Sequence, residues 1–173
     1  MYGFGIKKVI FVSSTGVYPD TKTVVNEATT LEAKTPSQRT LIEAETILIH
    51  NKNFKTTVLR PAGLVGGNRI AARWFAGKQN ASGGNIPVNM VHLEDCIGVS
   101  HEVIRQGIFG EILNLCADEH PTKAEFYTAQ TQKYNLEIPT FLMEKPTDFK
   151  IVSNEKSKRL LTYKYKKPKP TEF

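Results

Sequence analysis

Cysteine and histidine are both scarce in this 173-residue sequence. The two cysteines, Cys96 and Cys116, form no CxxC motif, so the sequence indicates neither a disulfide framework nor a thiolate zinc site. Reduced thiols are typical of the cytoplasm, and we expect a cytoplasmic protein. The histidines are scattered and predict no metal site; they are His50, His92, His101 and His120.

Long apolar runs are absent as well. No stretch of about 18 apolar residues occurs, so we expect no membrane-spanning helix. The start, MYGFGIKKVIF, lacks the order of charged, apolar and small residues that marks a signal peptide. A composition with 40% hydrophobic and 23% charged residues is ordinary for a soluble globular protein. The length fits one domain or a large piece of a bigger one.

Positive charge is in excess, with a formal net charge of +6. Much of that excess lies in the segment KSKRLLTYKYKKPKP at positions 156–170. Tyrosines interleaved with lysines are compatible with nucleic-acid binding, but a charge run of this kind favours a solvated tail. A basic protein associated with nucleic acid nevertheless remains one alternative.

The first half of the chain predicts a strand, a helix and a second strand. The continuous apolar run Val9–Ser13 is typical of a strand covered on both faces of a parallel sheet. The stretch TPSQRTLIEAETILIHNK predicts a helix capped by Thr35 or Ser37. Thr56–Leu59 predicts the second strand, which Pro61 ends because proline cannot donate to a ladder. Helical spacing places one apolar face on Leu41, Ala44, Ile47 and Leu48, with Glu43 and Glu45 turned elsewhere.

This order describes a right-handed crossover whose two strands are parallel. The carboxyl ends of parallel strands meet at one edge of the sheet, where ligands bind in such folds. We therefore expect the turns Ser13–Tyr18 and Arg60–Gly67 to lie side by side.

The rest of the chain predicts alternating loops, helices and one good strand. A Gly-, Asn- and Ser-rich loop covers 66–89, with a helical patch at 70–76. A helix is predicted over Leu93–Arg105, a strand in GEILNLCAD, and a helix in TKAEFYTAQTQKYN with a capping box between Thr122 and Glu125. Asn154 is expected to cap a last short helix in NEKSKRLL, followed by basic coil.

Four of these stretches together resemble one known family. They are VIFVSSTGVY, LRPAGLVGGNR, NMVHLEDCIGV and EILNLCADEHPTKAEFY. In this order and spacing they resemble the extended, or atypical, short-chain dehydrogenase/reductase family, the NAD-dependent epimerase/dehydratase group. The resemblance covers only the C-terminal half of that family's pattern. It implies an α/β fold in which 1–65 is the second half of a Rossmann-like parallel sheet with flanking helices. Residues 66–173 would then be a small substrate-side region packed on it as one unit.

The same resemblance implies NAD or NADP as cofactor, yet the sequence has no GxxGxxG fingerprint after a strand. We therefore expect that this chain alone does not bind the cofactor. The preceding part of the family's pattern could have been lost from the gene, left out when the gene was cloned, or be supplied by a second chain.

The family's catalytic residues are matched only in part. Ser14 matches the serine that positions the substrate oxygen, although a hydroxyl in such a turn can also serve only the local backbone. Ser37 and Leu41 occupy the tyrosine and lysine positions of YxxxK, where neither can transfer a proton as that dyad does. Lys22 follows Tyr18 by four residues, but 19–34 is expected to be a loop, so the two side chains are not expected to share a helix face. Whether the protein is an enzyme stays open; if it is, the resemblance implies an oxidoreductase or epimerase.

Other positions match the family's ligand contacts. Pro61, Ala62 and Gly63 match a turn beside the nicotinamide, although a strand that turns needs the same residues. Arg69 resembles a contact to substrate phosphate, and His92 and Asp95 resemble the HxxD segment. We expect Asp95 to satisfy free N–H groups at its helix start and His92 to orient a loop.

Three functions remain open from the sequence. The chain is a non-catalytic protein with this fold, the substrate-side half of a nucleotide-sugar epimerase or reductase completed by other residues, or a nucleic-acid-associated protein. The Val9–Ser13 strand would be a bare apolar edge, and we expect a homodimer or the missing N-terminal half to cover it. A small-molecule ligand is possible, and no membrane partner is expected.

Overall fold

A computed structural model describes residues 5–173 and shows a mixed α/β fold. The strands are β1 (Lys8–Val12), β2 (Val24–Val25), β3 (Lys55–Pro61), β4 (Gly63–Val65), β5 (Met90–His92), β6 (Ile112–Leu115) and β7 (Ile151–Val152). The α-helices are α1 (Pro36–Ile49), α2 (Leu93–Gln106), α3 (Lys123–Lys133) and α4 (Glu155–Leu161). Single 3-10 turns cover Thr15–Val17, Ala71–Trp74 and Pro170–Glu172.

The central sheet has the order β1–β3–β6, and all its strands are parallel. Val9 pairs with Thr56 and Val12 with Leu59, so the predicted parallel crossover is confirmed. Two small parallel pairs, β2–β7 and β4–β5, flank it. Strand β6 pairs with β3, so the central sheet contains strands from both 1–65 and 66–173.

Two apolar clusters form the core. The larger one lies between the sheet and helices α1, α2 and α4, and includes Val17, Leu59, Val99 and Leu113. The smaller one joins β4 and β5 to α3 and the C-terminal residue Phe173. The basic segment at 156–170 is therefore not a solvated tail, since Tyr165 in it is buried and contacts Ser157 Oγ at 3.0 Å.

The helix starts show which local predictions were right. Thr35 and Gln38 form a capping box at α1, and Thr122 forms the expected one with Glu125 at α3. Asn154 is the N-cap residue of α4, as predicted, but its side chain makes no capping bond. That side chain instead donates to Cys116 O at 2.7 Å and to Asp118 at 2.8 Å, so the cap position was predicted correctly but its side-chain bond was not.

Candidate functional site

The turn after β1 lies beside the end of β3, as predicted. Thr15 Oγ1 donates to the carbonyl of Pro61 at 3.5 Å, which joins the two carboxyl ends of the sheet. Ser14 precedes the 3-10 turn, and its Oγ accepts from Gly16 N at 3.0 Å. The hydroxyl proton of Ser14 is not used in that bond, so it can still be donated to a ligand.

Helix α1 starts against the same turn. Gln38 Nε2 donates to the carbonyl of Gly16 at 2.9 Å. Ser37, beside Gln38, is exposed at this contact, whereas Leu41 is half-buried and packs on the larger core cluster. The structure thus brings the start of α1, with Ser37, to the Ser14 turn.

The residues Pro61, Ala62 and Gly63 form the junction of β3 and β4. Ala62 N donates to Leu115 O at 2.9 Å, and Gly63 N donates to Asn89 O at 3.0 Å. A Cβ placed on Gly63 would lie 2.5 Å from the Sδ of Met90. The close approach of β5 therefore favours glycine here, because any side chain would displace Met90 and press on Asn89 O, whatever ligand binds nearby.

Arg69 and His92 each contact Gly66 of one glycine turn. Gly66 and Arg69 exchange backbone hydrogen bonds of 3.2 and 3.1 Å. A Cβ on Gly66, whose φ is +111°, would lie 2.7 Å from the Nε2 of His92. The imidazole thus packs directly against this glycine, while the Arg69 side chain is exposed to solvent.

His92 has a more definite role than the loop contact predicted for it. It is the N-cap of α2, and its Nδ1 accepts from Glu94 N at 3.2 Å. Burial, together with the charge of Lys167, lowers the pKa of His92 below its usual value. A neutral ring is what this cap needs, because a protonated Nδ1 cannot accept a hydrogen bond.

Asp95 does not cap α2, so that prediction was wrong. Its buried carboxylate instead accepts from Tyr163 O–H at 3.0 Å, Lys166 N at 2.8 Å and Lys167 N at 3.0 Å. All three donors belong to the C-terminal segment, which the resemblance had not linked to the HxxD stretch. Asp95 thus fastens that segment to α2.

A buried polar network behind the Ser14 turn was missed from the sequence. Glu45 was expected to face away from the core, but it is buried and accepts two hydrogen bonds from Arg60, at 2.5 and 3.0 Å. Arg60 also donates to the Tyr18 hydroxyl at 2.7 Å, which in turn donates to Asn114 Oδ1 at 2.8 Å. Two features of the sequence could have indicated this network. One is the carboxylate at a core-facing position of α1, and the other is the arginine inside the apolar strand β3.

Neither Tyr18 nor the two thiols is poised for chemistry at neutral pH. Burial raises the pKa of Tyr18 even though Arg60 opposes that shift. Burial also raises the pKa of Cys96 to about 12 and that of Cys116 to about 12. Their neutral forms are poor nucleophiles and bases. Within residues 5–173, no cluster of three or more metal-ligating side chains occurs.

The turns that the structure describes do not fit a dinucleotide diphosphate. Such a group needs a glycine turn that runs from a strand directly into a helix start. The turn after β1 is followed by a long loop before α1, and the glycine turn after β4 is occupied on one side by His92. The carboxyl end of the sheet holds Ser14 and the Pro61–Gly63 junction without a phosphate cradle.

Strand β1 and helix α2 both carry exposed apolar side chains. Val12 and Ile97 are each 62% exposed. An apolar groove of about 330 Å³ lies between the sheet and α2, and its lining includes Val12, Leu59, Leu64 and Ile97. β1 pairs only with β3 in the described part of the chain, so its other side offers a free row of backbone groups.

Comparison with curated proteins gives one matching protein in two strains, and no family model matches. Protein YeeZ of Escherichia coli (strain K12) is 37% identical over 166 residues, which are 95% of this chain and 60% of that protein. The version from Escherichia coli O157:H7 matches equally. The chain therefore spans less than two thirds of the length of the curated relatives it matches.

Solved structures share the fold at lower identity. A functionally unknown conserved protein from Silicibacter pomeroyi DSS has a TM-score of 0.83 and 22% identity over 95% of this chain and 64% of that one. dTDP-glucose 4,6-dehydratase from Bacillus anthracis str. Ames, in complex with NAD, gives 0.75 and 17% over 95% and 59%. UDP-glucuronic acid 4-epimerase from Bacillus cereus, in complex with UDP-glucuronic acid and NAD, gives 0.75 and 17% over 95% and 58%.

Proposed function

We propose that this chain, which has the Rossmann-like fold of NAD-dependent epimerases and dehydratases, supplies the substrate-side part of such a protein and does not catalyse a reaction alone. The observation that carries the proposal is the combination of a ligand edge with an open sheet edge. The Ser14 turn, the Pro61–Gly63 junction and the start of α1 are assembled, while β1 and its apolar groove have no covering element among residues 5–173.

The residues at the catalytic positions support the proposal that the chain does not catalyse a reaction alone. Ser14 keeps a free hydroxyl proton at the ligand edge, so it can orient a substrate oxygen. Ser37 at the tyrosine position carries no group with a pKa near neutrality, and Leu41 at the lysine position carries no charge. The side chains of this chain can therefore bind and orient a substrate without supplying the proton transfer.

The cofactor would be held largely by residues outside this chain. A diphosphate bound without backbone N–H donors at a helix start loses most of its charge-assisted contacts, and no described turn provides them. NAD or NADP would meet this chain only through the Ser14 turn and the Pro61–Gly63 junction.

The substrate would be an anion, such as a nucleotide sugar, that reaches Arg69. Arg69 is exposed on the glycine turn against which the His92 ring packs, and a planar guanidinium can bind phosphate oxygens in pairs. UDP-glucuronic acid in the Bacillus cereus epimerase is a ligand of this class.

The β1 edge would be covered by a nucleotide-binding part like the one that completes the longer relatives. A strand added beside β1 would pair with its free backbone groups, and a helix from the same part would fill the groove at Val12 and Ile97. Self-pairing of two copies through β1 is the competing occupant.

Calorimetric titration with NAD and NADP tests the first claim. We expect no saturable binding to this chain up to millimolar cofactor, whereas micromolar binding would contradict the proposal.

A complementation experiment tests the second claim. The part of Escherichia coli YeeZ that this chain does not match is mixed with the chain, and a 1:1 complex that binds NAD is expected. Val12→Lys should prevent the complex, while Met143→Lys, at another exposed apolar residue, should not. A purely homodimeric chain that ignores the added part would overturn this assignment.

A further inference from the structure

The amino end of the sheet, opposite the ligand edge, carries a basic groove of about 790 Å³. Four lysines line it: Lys7, Lys8, Lys52 and Lys55. The remaining lining includes the amides of Asn51 and Asn53 and the rings of Phe54 and Phe109, and no carboxylate among the described residues lines it. We call this surface the lysine groove.

Two of the groove lysines are held side by side by strand pairing in the sheet. Lys8 and Lys55 are directly opposite each other in the β1–β3 register, and Lys55 N donates to the carbonyl of Lys7 at 2.9 Å. Like charges directly opposite on neighbouring strands are destabilising. None of the four forms an ion pair within residues 5–173, so nothing in that part of the chain relieves their repulsion.

The acidic residue that follows the groove in sequence is paired elsewhere. Glu111 follows Gly110 of the groove, but its carboxylate is paired with Lys156 at 2.9 Å. The groove therefore presents uncompensated positive charge, which attracts an anion long enough to contact several of the lysines.

The chemistry of the lining favours a phosphate chain with bases attached. Lysine ammonium groups act as point charges for phosphate and carry no sequence preference. The Phe54 and Phe109 rings are half-buried, and Lys8 Nζ lies 5.1 Å from the centroid of the Phe109 ring. A positive groove with aromatic rings in it is the usual construction of a site for single-stranded nucleic acid.

We propose that the lysine groove at the amino end of the sheet binds single-stranded nucleic acid through its phosphate backbone. This site is separate from the ligand edge and does not depend on the function proposed for that edge. It also differs from binding by the basic segment at 156–170, because both tyrosines there are engaged, Tyr163 with Asp95 and Tyr165 with Ser157.

Fluorescence anisotropy with labelled oligo-dT of 15 nucleotides tests the proposal. Four phosphate contacts predict that log K falls with log salt at a slope of about −2.8, which is a loss of roughly 50-fold between 50 and 200 mM salt. The variant Lys8→Gln/Lys55→Gln should halve the slope and weaken binding at 50 mM salt by roughly 50-fold. The control Lys34→Gln/Lys164→Gln removes the same charge outside the groove and should bind nearly as the wild type does.

Each other result overturns the proposal. No binding at 50 mM salt does so, and so does an equal loss in both double variants, which indicates only general surface charge. Tripolyphosphate that competes as well as the oligonucleotide at equal phosphate assigns the groove to small anions. Equal affinity for a 15-base-pair duplex removes the preference for single strands.

A second measurement is independent of whether the variants fold. Bound oligo-dT should protect the four groove lysines of the wild-type chain from acetylation, as read by mass spectrometry, while Lys34 and Lys164 stay reactive. Protection of Lys164 without the groove lysines would move binding to the C-terminal segment and overturn the assignment.

Discussion

Arg60 and Glu45 form a doubly hydrogen-bonded ion pair whose side chains are only 2% and 3% exposed. The pair joins helix α1 to strand β3, directly behind the Ser14 turn. Tyr18 and Asn114 extend it to the end of the β1 turn and to β6. Helix α1, strand β3 and the turn after β1, which shape the ligand edge, are thus connected to one buried charge pair.

Breaking this pair should be costly. Glu45→Ala leaves the Arg60 guanidinium buried without its carboxylate, and we expect a loss of about 3–5 kcal/mol in the free energy of unfolding. Urea denaturation measures it, with Glu43→Ala on the same helix as an exposed control within about 0.5 kcal/mol of the wild type. The double variant Glu45→Leu/Arg60→Met should lose less than Glu45→Ala, because it leaves no charge buried. Equal stability of Glu45→Ala and Glu43→Ala would refute the role of the pair.

The Tyr18 hydroxyl should contribute stability rather than proton transfer. Tyr18→Phe removes an acceptor from Arg60 and a donor to Asn114, so we expect a loss of about 1–3 kcal/mol. Tyr134→Phe is the matched control, since Tyr134 is 40% exposed. Thermal unfolding of the two variants side by side gives the comparison, and an unchanged Tm for Tyr18→Phe would contradict the network.

Asp95 should control the C-terminal segment. Asp95→Asn places an amide N–H where the carboxylate accepted a backbone N–H, so the bonds from Lys166 and Lys167 cannot both persist. Hydrogen exchange of residues 163–167 should then accelerate by at least tenfold. Tyr163→Phe removes only one of the three donors and should have a smaller effect. Unchanged exchange in Asp95→Asn would show that packing alone holds the segment.

Because of two histidines, we expect the free energy of unfolding to fall on acidification already at pH values above those at which carboxyl groups titrate. Burial lowers the pKa of both His92 and His120 in the folded state. The unfolded chain, with pKa near 6.5, therefore binds more protons, so this stability is present above about pH 6.5 and is lost as pH falls through the folded pKa values. Urea midpoints at pH 7.5 and 5.5 measure the loss. His120→Asn should reduce it, whereas the exposed His101→Gln should not.

Exposed Val12 should drive self-association when no partner covers β1. Light scattering at rising concentration should show oligomers of the wild type, and Val12→Lys should shift them to monomers because a charged side chain protects an edge strand. A wild-type chain that stays monomeric at every concentration would count against pairing through β1.

Sequence patterns predicted the features that local chemistry controls. The parallel crossover, the α1 start at Thr35 and the Thr122–Glu125 capping box follow from apolar runs and cap residues within a few positions. The Rossmann-like fold expected from the four motifs is confirmed by the solved structures that share it. The juxtaposition of the Ser14 and Pro61 turns followed from the strand order alone.

Several errors concern side chains whose partners are distant in sequence. Asp95 and Asn154 are residue types that commonly cap helices. Their side-chain partners, however, lie about 70 and 40 positions away, and no local sequence rule predicts such partners. Glu45 was assigned to the solvent side because a carboxylate in a core is rare without a cation, and the cation, Arg60, belongs to the next strand. The short strand pair β2–β7 was missed because each strand has only two residues.

The fastening of Asp95 has a consequence for shortened versions of this protein. Its three donors lie 68 to 72 residues further along the chain, so α2 depends on residues translated long after it. A premature stop codon after Thr162 would remove only a short stretch, yet it would take away all three hydrogen-bond donors of the Asp95 carboxylate. Such a truncation would therefore destabilise α2, which is encoded far upstream of the stop codon.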